Sequence, residues 1–309
     1  MRERAMVPEP DFESYYGRQI LKTPTWKTPD VPLYLFLGGL AGASALLAEG
    51  AAITGRPGLE RVTRAAAATG AGAGTVALIH DLGRPERFLK MLRVLKVTSP
   101  LSVGSFILAP FSGLSAAALA SNLTGRLPRL GRLAGLGAAA LGPPLASYTA
   151  ALLSNTAVPA WHEGHRELPL IFVGSGATAA GGLALVATPL AENGPARLMA
   201  VAGAGIEITA AELLKRRLGM VAEPYEQGRP GLLMKTARAM TAASAALTVV
   251  AGRSRALCVL AGASYVTASA LTRFGIFEAG RESAKDPRYT VVPQRQRLEQ
   301  RKAEAAASA

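Results

Sequence analysis

Residues 65–88 read AAAATGAGAGTVALIHDLGRPERF, an uncharged run that ends abruptly in charged residues. No charged side chain occurs in 65–79, and a histidine, an aspartate, two arginines and a glutamate follow within eight positions. An acid at the end of an apolar span is costly to keep beside lipid, which makes Asp81 a candidate functional residue. The alternative is a juxtamembrane turn whose charges are solvated.

The composition of the whole chain favours a membrane protein. Half of the 309 residues are hydrophobic, whereas only 18% are charged and 6% are aromatic. Alanine and glycine supply much of the apolar content, which suits membrane helices whose backbones approach closely. Gly-x-x-x-Gly pairs that begin at Gly38, Gly70 and Gly131 fit such contacts.

Uncharged runs of membrane length predict the fold class. Four of them, at 31–48, 97–125, 133–162 and 168–191, reach the roughly 18 residues that indicate a spanning helix. Weaker segments complete the prediction of an all-α integral membrane protein with eight transmembrane helices in two four-helix bundles. The predicted spans are residues 32–53, 62–81, 101–122, 133–154, 169–189, 197–215, 235–252 and 255–273.

The polar terminal segments and a weak similarity between the two halves of the chain define the predicted domains. Residues 1–30 contain no apolar stretch, so we interpret them as an N-terminal surface arm and not a signal peptide. The membrane domain at 31–275 divides into a first bundle at 31–155 and a second at 167–275, related by an offset of about 136 residues. Residues 276–309 form a polar C-terminal tail, predicted to be surface-bound or disordered.

The distribution of lysine and arginine predicts the orientation. An even number of spans places both termini and the 82–100 loop on one side, called side A, opposite side B. Side A has the heavier Lys and Arg load, so the positive-inside rule places it in the cytoplasm, with the protein in the plasma (inner) membrane. Basic loops beside anionic lipid headgroups explain the net charge of +13, and no nucleic-acid-binding motif supports another explanation.

Polar side chains of several spans are predicted to meet at side A. His80 and Asp81 end the second span, Tyr34 begins the first, and Tyr148 lies about two turns inside the end of the fourth. An acid, an imidazole and a phenol suit a quinone head, which needs hydrogen-bond donors for its oxygens and a proton route. Interfacial anchoring is the alternative for Tyr34 and for Trp161, which follows the fourth span.

The sequence contains few residues that could bind haem or a metal ion. Its single cysteine, Cys258, cannot hold an iron–sulfur cluster, which needs about four thiolates. None of the three histidines lies in the middle of a span, and His162 with His165 supplies two metal ligands without a third. We therefore expect neither haem nor a metal site in this chain.

Three further carboxylates are candidates for a proton path. Glu207 lies near mid-depth in the sixth span, Glu212 lies closer to side A, and Glu49 lies near the side-B end of the first span. Buried carboxylates are rare in bilayers and often belong to proton relays. The alternatives are that Glu49 snorkels to the interface and that Glu212 pairs with Lys215 or Arg216.

Several segments together resemble the short form of the NrfD/polysulfide reductase membrane-subunit family. They are DLGRPERF at 81–88, MLR at 91–93, TSPLSVG at 98–104, and the stretches 26–42, 148–162 and 271–275. The resemblance covers about residues 15–290.

The resemblance implies a haem-free, eight-helix subunit that is not catalytic alone. Its exchangeable cofactor would be menaquinone or ubiquinone, and its partners a four-cluster-type iron–sulfur subunit and, through it, a molybdopterin catalytic subunit. The family's acid at the end of the second helix matches Asp81, and its tyrosine in the fourth matches Tyr148. The family's first-helix asparagine has no clear counterpart, and Tyr34 or Trp26 takes that space.

The predicted sites follow from both lines of reasoning. The predicted quinone-binding residues are Asp81, Tyr148, His80, Tyr34 and Trp26. The residues predicted for the motif and for partner docking are Arg84, Glu86, Arg87, Trp161, His162 and Arg166. A secondary transporter or proton-conducting protein is the alternative, with Pro110 or Pro143-Pro144 as a helix break. A structural anchor that binds no quinone is a third possibility.

Overall fold

The computed structural model describes residues 19–84, 86–250 and 254–307, and this part of the chain contains α-helices and no β-strand. Residues 1–18 of the predicted surface arm lie outside the described residues. The described helices are Asp30–Ile53 (α1), Pro57–Asp81 (α2), Glu86–Met91 (α3), Pro100–Thr124 (α4), Pro128–Ser154 (α5), Pro159–Glu163 (α6), Leu168–Ala187 (α7), Gly194–Leu218 (α8), Gly228–Val250 (α9), Arg255–Lys285 (α10) and Arg288–Ala307 (α11).

Local sequence signals begin and end the long helices. Proline occupies the first turn of α2, α4 and α5, where a missing N–H removes no helical hydrogen bond. The Ser99 side chain caps α4 by accepting a hydrogen bond from the backbone N–H of Ser102. Gly125 ends α4 in the left-handed conformation, with φ of 68°, which glycine adopts without steric penalty.

Prolines inside the helices do not break them. Pro110 lies within α4, and Pro143 and Pro144 lie within α5, yet each helix continues to its far end. Neighbouring helices and local adjustments can satisfy the freed carbonyl groups in membrane helices. The structure therefore does not contain the mid-depth breaks that the sequence offered for a transporter.

Among the described residues, five helices are long and apolar enough to cross a membrane. They are α1, α4, α5, α7 and α10. The long helices α2, α8 and α9 overlap the other three predicted spans. They do not meet both requirements that the first five meet, which are high mean hydropathy and few charged residues. The described helices therefore support a membrane protein and leave the count of eight spans as a prediction.

Two groups of helices pack with the same pattern of neighbours. In the first helix set, α1 contacts α2 and α5, and α4 contacts α2 and α5. In the second helix set, α7 contacts α8 and α10, and α9 contacts α8 and α10. The two sets meet mainly where α7 packs against α1 and α5.

Glycine allows helix backbones to touch within each set. A Cβ atom on Gly42 of α1 would lie 2.4 Å from the carbonyl oxygen of Gly142 in α5. In the second helix set, a Cβ atom on Gly262 of α10 would lie 2.4 Å from the carbonyl oxygen of Gly182 in α7. These distances are far below van der Waals contact, so both crossings require glycine.

The predicted role of the Gly-x-x-x-Gly pairs in helix packing is confirmed. Gly70 faces α1, and a Cβ atom on Gly131 would lie 2.1 Å from the Ser121 hydroxyl of α4. A further glycine contact joins the two sets, because a Cβ atom on Gly176 of α7 would lie 2.8 Å from the carbonyl oxygen of Gly39.

The boundary predicted at residue 275 falls inside α10, which continues to Lys285 with Ile276 and Phe277 fully buried. Beyond it, α11 lies along side A, where the Tyr289 hydroxyl donates a hydrogen bond of 3.1 Å to Glu223. Burial and the Glu223 carboxylate raise the pKa of Tyr289 to about 12. Residues 276–285 and 288–307 are thus helical, and α10 continues into the side-A face.

Replacement of Gly42 by alanine tests the backbone contact between α1 and α5. The new Cβ would press on a backbone oxygen that cannot rotate away, and overpacking of this kind costs about 1–3 kcal/mol. We expect Gly42→Ala to lower the thermal unfolding midpoint in detergent. Gly50→Ala in the same helix is the control, because nothing lies within 4 Å of its Cβ. Equal midpoints for the two variants would contradict the contact.

Candidate functional site

The N-terminal segment holds Asp81 at the end of α2. The backbone N–H of Lys27 donates a hydrogen bond of 2.8 Å to Asp81 Oδ1. The Lys27 ammonium group donates a hydrogen bond of 3.3 Å to the carbonyl oxygen of His80. Two links from one residue therefore position both the carboxylate and the final turn of α2. The sequence did not identify Lys27, because a hydrogen bond from a backbone N–H does not depend on the type of residue.

The His80 side chain interacts with a different partner from that of the adjacent Asp81. Its Nδ1 atom lies 2.7 Å from Asp30 Oδ2 at the start of α1, and 73% of its side chain is exposed. The pair joins the side-A ends of α1 and α2. The structure thus keeps His80 beside Asp81 in the chain but directs its ring to Asp30.

Tyr34 and Tyr148 are in contact inside the first helix set. Their ring centroids are 6.5 Å apart, and the rings meet edge to face at 67°. Both side chains are buried, at 2% and 8% exposure. Gly104 of α4 makes room for the Tyr148 ring, since a Cβ atom there would lie 1.9 Å from Tyr148 Cε2. Two of the side chains predicted to meet at side A are therefore in contact, whereas the predicted quinone site stays a prediction.

The Tyr148 hydroxyl is the notable atom of this pair. It is buried and has no hydrogen-bond partner among the described residues. Buried hydroxyl groups in native proteins are nearly always bonded to protein or to water, so such an atom needs an explanation. A phenol in this state can donate a hydrogen bond to an acceptor that enters from outside the chain.

The two tryptophans form a stack that links the N-terminal segment to α6. Trp26 and Trp161 lie with ring centroids 5.6 Å apart and planes at 22°. Trp161 is fully buried, and its indole N–H donates a hydrogen bond of 2.8 Å to the Ile276 carbonyl. The prediction that Trp161 belongs to a docking surface is therefore wrong: its ring fills a space that Gly280 leaves open. Trp26 stays half-buried at the edge of the site.

The other predicted docking residues lie on the surface of side A. They lie in the connection between α2 and α4, and in α6 and the turn after it. The exposed residues are Arg84, Glu86, Arg87, His162 and Arg166.

Glu49 belongs to a buried ion-pair cluster near side B. Its Oε1 atom lies 3.1 Å from Arg64 Nη2, and its Oε2 atom lies 3.5 Å from Arg132 Nε. Arg64 also lies 3.0 Å from Glu60. The carboxylate is 4% exposed, so the alternative that Glu49 snorkels to the interface is wrong. It forms ion pairs with the buried Arg64 and with the partly exposed Arg132 instead.

Glu207 and Glu212 have separate partners. Glu212 pairs with Arg216 at 3.1 Å, as the sequence alternative predicted, and also with Arg238 of α9 at 3.0 Å. Glu207 is buried and accepts a hydrogen bond of 2.8 Å from the Thr272 hydroxyl. With Glu49 in a third cluster, the described contacts do not connect the three acids into the predicted stepped path.

Arg273 is a buried cation that the sequence did not single out as a site residue. Its Nη2 atom donates a hydrogen bond of 2.7 Å to the carbonyl oxygen of Phe172, and its guanidinium carbon lies 4.0 Å from the centroid of that ring. Its Nε atom donates to the carbonyl oxygen of Leu35 at 3.3 Å. One side chain of α10 thus joins α1 and α7 across the two helix sets.

The described residues define a helical membrane protein in which the buried tyrosine pair and the partly exposed Asp81 lie at the same end of the first helix set. A family model described as "Polysulphide reductase, NrfD" matches residues 21–196, which is more than half of the chain. The chain belongs to this NrfD family. No match was found among curated proteins. The matched region includes Asp81 and Tyr148, whereas Glu207 and Arg273 lie beyond it.

Replacement of Gly104 by alanine tests the space that holds the Tyr148 ring. A Cβ atom would overlap that ring, so we expect a loss of about 1–3 kcal/mol in the free energy of unfolding. In a Tyr148→Ala background the same change should be close to neutral, because the opposing ring is gone. Thermal unfolding in detergent measures both. Gly113→Ala in α4 is the control, with nothing within 4 Å of its Cβ. Additive effects of the two changes would contradict the predicted contact.

Proposed function

We propose that this chain is the quinone-interacting membrane subunit of a multi-subunit oxidoreductase. Membership of the NrfD family indicates a membrane subunit of a polysulfide reductase or oxidoreductase-type complex. The observation that carries the finer proposal is the buried Tyr148 hydroxyl, which has no hydrogen-bond partner in the described part of the chain. It lies at the same end of the first helix set as Asp81.

The residues around this hydroxyl fit a quinone head. A bound quinone, menaquinone or ubiquinone, would supply two-electron chemistry that requires protons at its oxygens. Tyr148 can donate a hydrogen bond to one such oxygen, and the Asp81 carboxylate can take or return a proton. Partly buried apolar side chains pack against the same buried cluster and provide a hydrophobic surround. They include Trp26, Leu82, Phe88, Leu101 and Ile107.

The contacts of Lys27 keep Asp81 in one place. Because its Oδ1 atom accepts from a backbone N–H, the carboxylate cannot swing freely into solvent. A carboxylate with one fixed hydrogen bond retains acceptor positions on its oxygens for a proton or a donor. The stack of Trp26 on Trp161 anchors the segment that carries Lys27. The segment before α1 is therefore the positioning element of the proposed site.

Electrons in this proposal come from a neighbouring chain. The only cysteine, Cys258, is buried, and a single thiolate cannot hold an iron–sulfur cluster. We therefore assign the cluster to a four-cluster-type iron–sulfur subunit, which passes electrons to or from a molybdopterin catalytic subunit. Exposed Arg84, Glu86 and Arg87 follow Asp81 closely in the chain and suit a charged docking surface for that partner.

The membrane arrangement in the proposal uses all eight long helices. Each lies at a predicted span, and the two helix sets share one pattern of neighbours, as two four-helix bundles related by a repeat would. Side A faces the cytoplasm, in accord with its larger Lys and Arg content. A transporter of repeat type would show helices broken at mid-depth, whereas α4 and α5 are continuous.

Two substitutions test the proposed site. Tyr148→Phe removes a donor and should weaken binding of a water-soluble quinone analogue about tenfold. Asp81→Asn removes the proton-exchanging carboxylate and should lower quinone-linked turnover about a hundredfold. Quenching of tryptophan fluorescence in the purified chain measures binding, and activity of the complex in native membranes measures turnover.

Matched controls come from α11 and its N-terminal flank. Tyr289→Phe and Asp286→Asn change the same functional groups near side A, away from the tyrosine pair. Both controls should bind the quinone analogue and turn over as the unmodified protein does. Unchanged binding in Tyr148→Phe together with unchanged turnover in Asp81→Asn would overturn the proposal.

Cysteine labelling tests the orientation. Cys258 is 2% exposed, so the unmodified chain should react weakly with a membrane-impermeant maleimide. Lys302→Cys places a thiol on exposed α11 at side A, and Arg126→Cys places one in the exposed α4–α5 connection at side B. We expect whole spheroplasts to label only Arg126→Cys and inverted vesicles to label only Lys302→Cys. The reverse pattern would place side A outside.

A further inference from the structure

A row of buried hydroxyl groups runs along α9 in the second helix set. Thr241, Ser244 and Thr248 are 1%, 2% and 2% exposed. Their spacing of three and four residues places them on one face of the helix. The row covers about 10 Å of helix length at 1.5 Å per residue. Packing of an apolar helix face does not require three buried hydroxyl groups.

Two of these oxygens lack a protein partner. Thr241 Oγ1 and Ser244 Oγ have no hydrogen-bond partner among the described residues. The Tyr265 hydroxyl of α10 lies close to Thr248 of the row. Buried hydroxyls that protein groups do not satisfy are as a rule hydrogen-bonded to water.

A cavity of about 90 Å³ lies between Thr241, at one end of this row, and charged residues of side A. Its inner wall includes Glu207, Thr241 and Thr272, and its outer wall includes Lys215 and Arg238. This volume is several times the roughly 10–15 Å³ that one water molecule needs. Polar groups on its inner wall give such water molecules hydrogen-bond partners.

Glu207 is the titratable group at the inner end of the cavity. Its carboxyl oxygens have hydroxyl partners, Thr272 at 2.8 Å and Thr178 at 3.5 Å. None of the ion pairs between described residues includes Glu207, in contrast to Glu49 with its two arginines. The neighbouring guanidinium of Arg273 donates hydrogen bonds to carbonyl oxygens of α1 and α7. Glu207 can therefore gain or lose a proton without breaking an ion pair.

The row ends near side B at an arginine. Arg197, in the first turn of α8, donates a hydrogen bond of 2.6 Å from Nη2 to the carbonyl oxygen of Thr248. Buried polar groups thus occur at several depths of the second helix set, between the side-A cavity and the side-B end.

We propose that these groups form a proton path through the second helix set, with Glu207 as the site that changes protonation. A proton from water in the cavity joins the Glu207 carboxylate and forms the carboxylic acid. The acid then releases that proton to the hydroxyl and water row, in which each oxygen that accepts a proton gives one up. No electron moves and no covalent C–O bond breaks. The path uses neither Asp81 nor Tyr148, so it goes beyond the proposed quinone function.

Proteoliposomes that contain the purified full chain test this path. A potassium diffusion potential set with valinomycin drives protons, and an enclosed pH-sensitive dye reports their entry. We expect the unmodified chain to carry protons above the rate of protein-free vesicles. Glu207→Gln should lose this flux completely, Glu207→Asp should retain part of it, and Thr241→Val should lower it because a relay hydroxyl is removed.

Controls separate the path from loss of folding and from the quinone site. Thr69→Val makes the same change on α2 and should conduct as the unmodified chain does, and thermal unfolding confirms that each variant is folded. Tyr289→Phe removes a phenol outside both sites and should also conduct normally. The flux assay contains no quinone, so failure of the quinone proposal leaves this result unaffected. Flux in Glu207→Gln equal to that of the unmodified chain, or no flux above protein-free vesicles in the unmodified chain, would overturn the proton path.

Discussion

Direct contact between helix backbones at glycine is the constraint on which the rest of the structure depends. The Gly42–Gly142 crossing of the first helix set has its equivalent in the Gly182–Gly262 crossing of the second. Helices this close leave little room for large side chains between them. Small residues therefore occupy these crossings, whereas leucine and aromatic side chains fill the core between them. Buried polar groups depend on partners from adjacent helices because lipid offers none.

The buried polar groups lie in three regions, which differ in the partners that those groups have. At side B of the first helix set, Glu49 and Arg64 neutralise each other and hold helices together. At side A of the same set, Tyr148 retains a hydroxyl without a protein acceptor. In the second set, Glu207 has hydroxyl partners and a cavity beside it. Ion-paired clusters serve stability, whereas incompletely satisfied groups are where ligands or protons can be exchanged.

Much of the fold was predictable from the lengths of the uncharged runs, whereas the candidate site was predictable only in part. The tyrosine pair was foreseen because depth in a helix follows directly from residue count. The span predicted at 255–273 lies within α10, which continues past Arg273 because that buried side chain donates hydrogen bonds to carbonyl groups of α1 and α7. Trp161 was assigned to the surface from its position in a connection, although Gly280 of a distant helix opens a buried space for it.

By itself, the sequence determined that the chain is a helical membrane protein, where its long helices lie and which polar residues share a side. These properties follow from local composition and from the constant rise of a helix. Only the tertiary structure decided which acid is ion-paired and which is not, and how Lys27 holds Asp81. Those outcomes depend on how each helix is rotated against neighbours far away in the chain, and the apolar pattern of Ala- and Gly-rich helices is too uniform to specify that rotation.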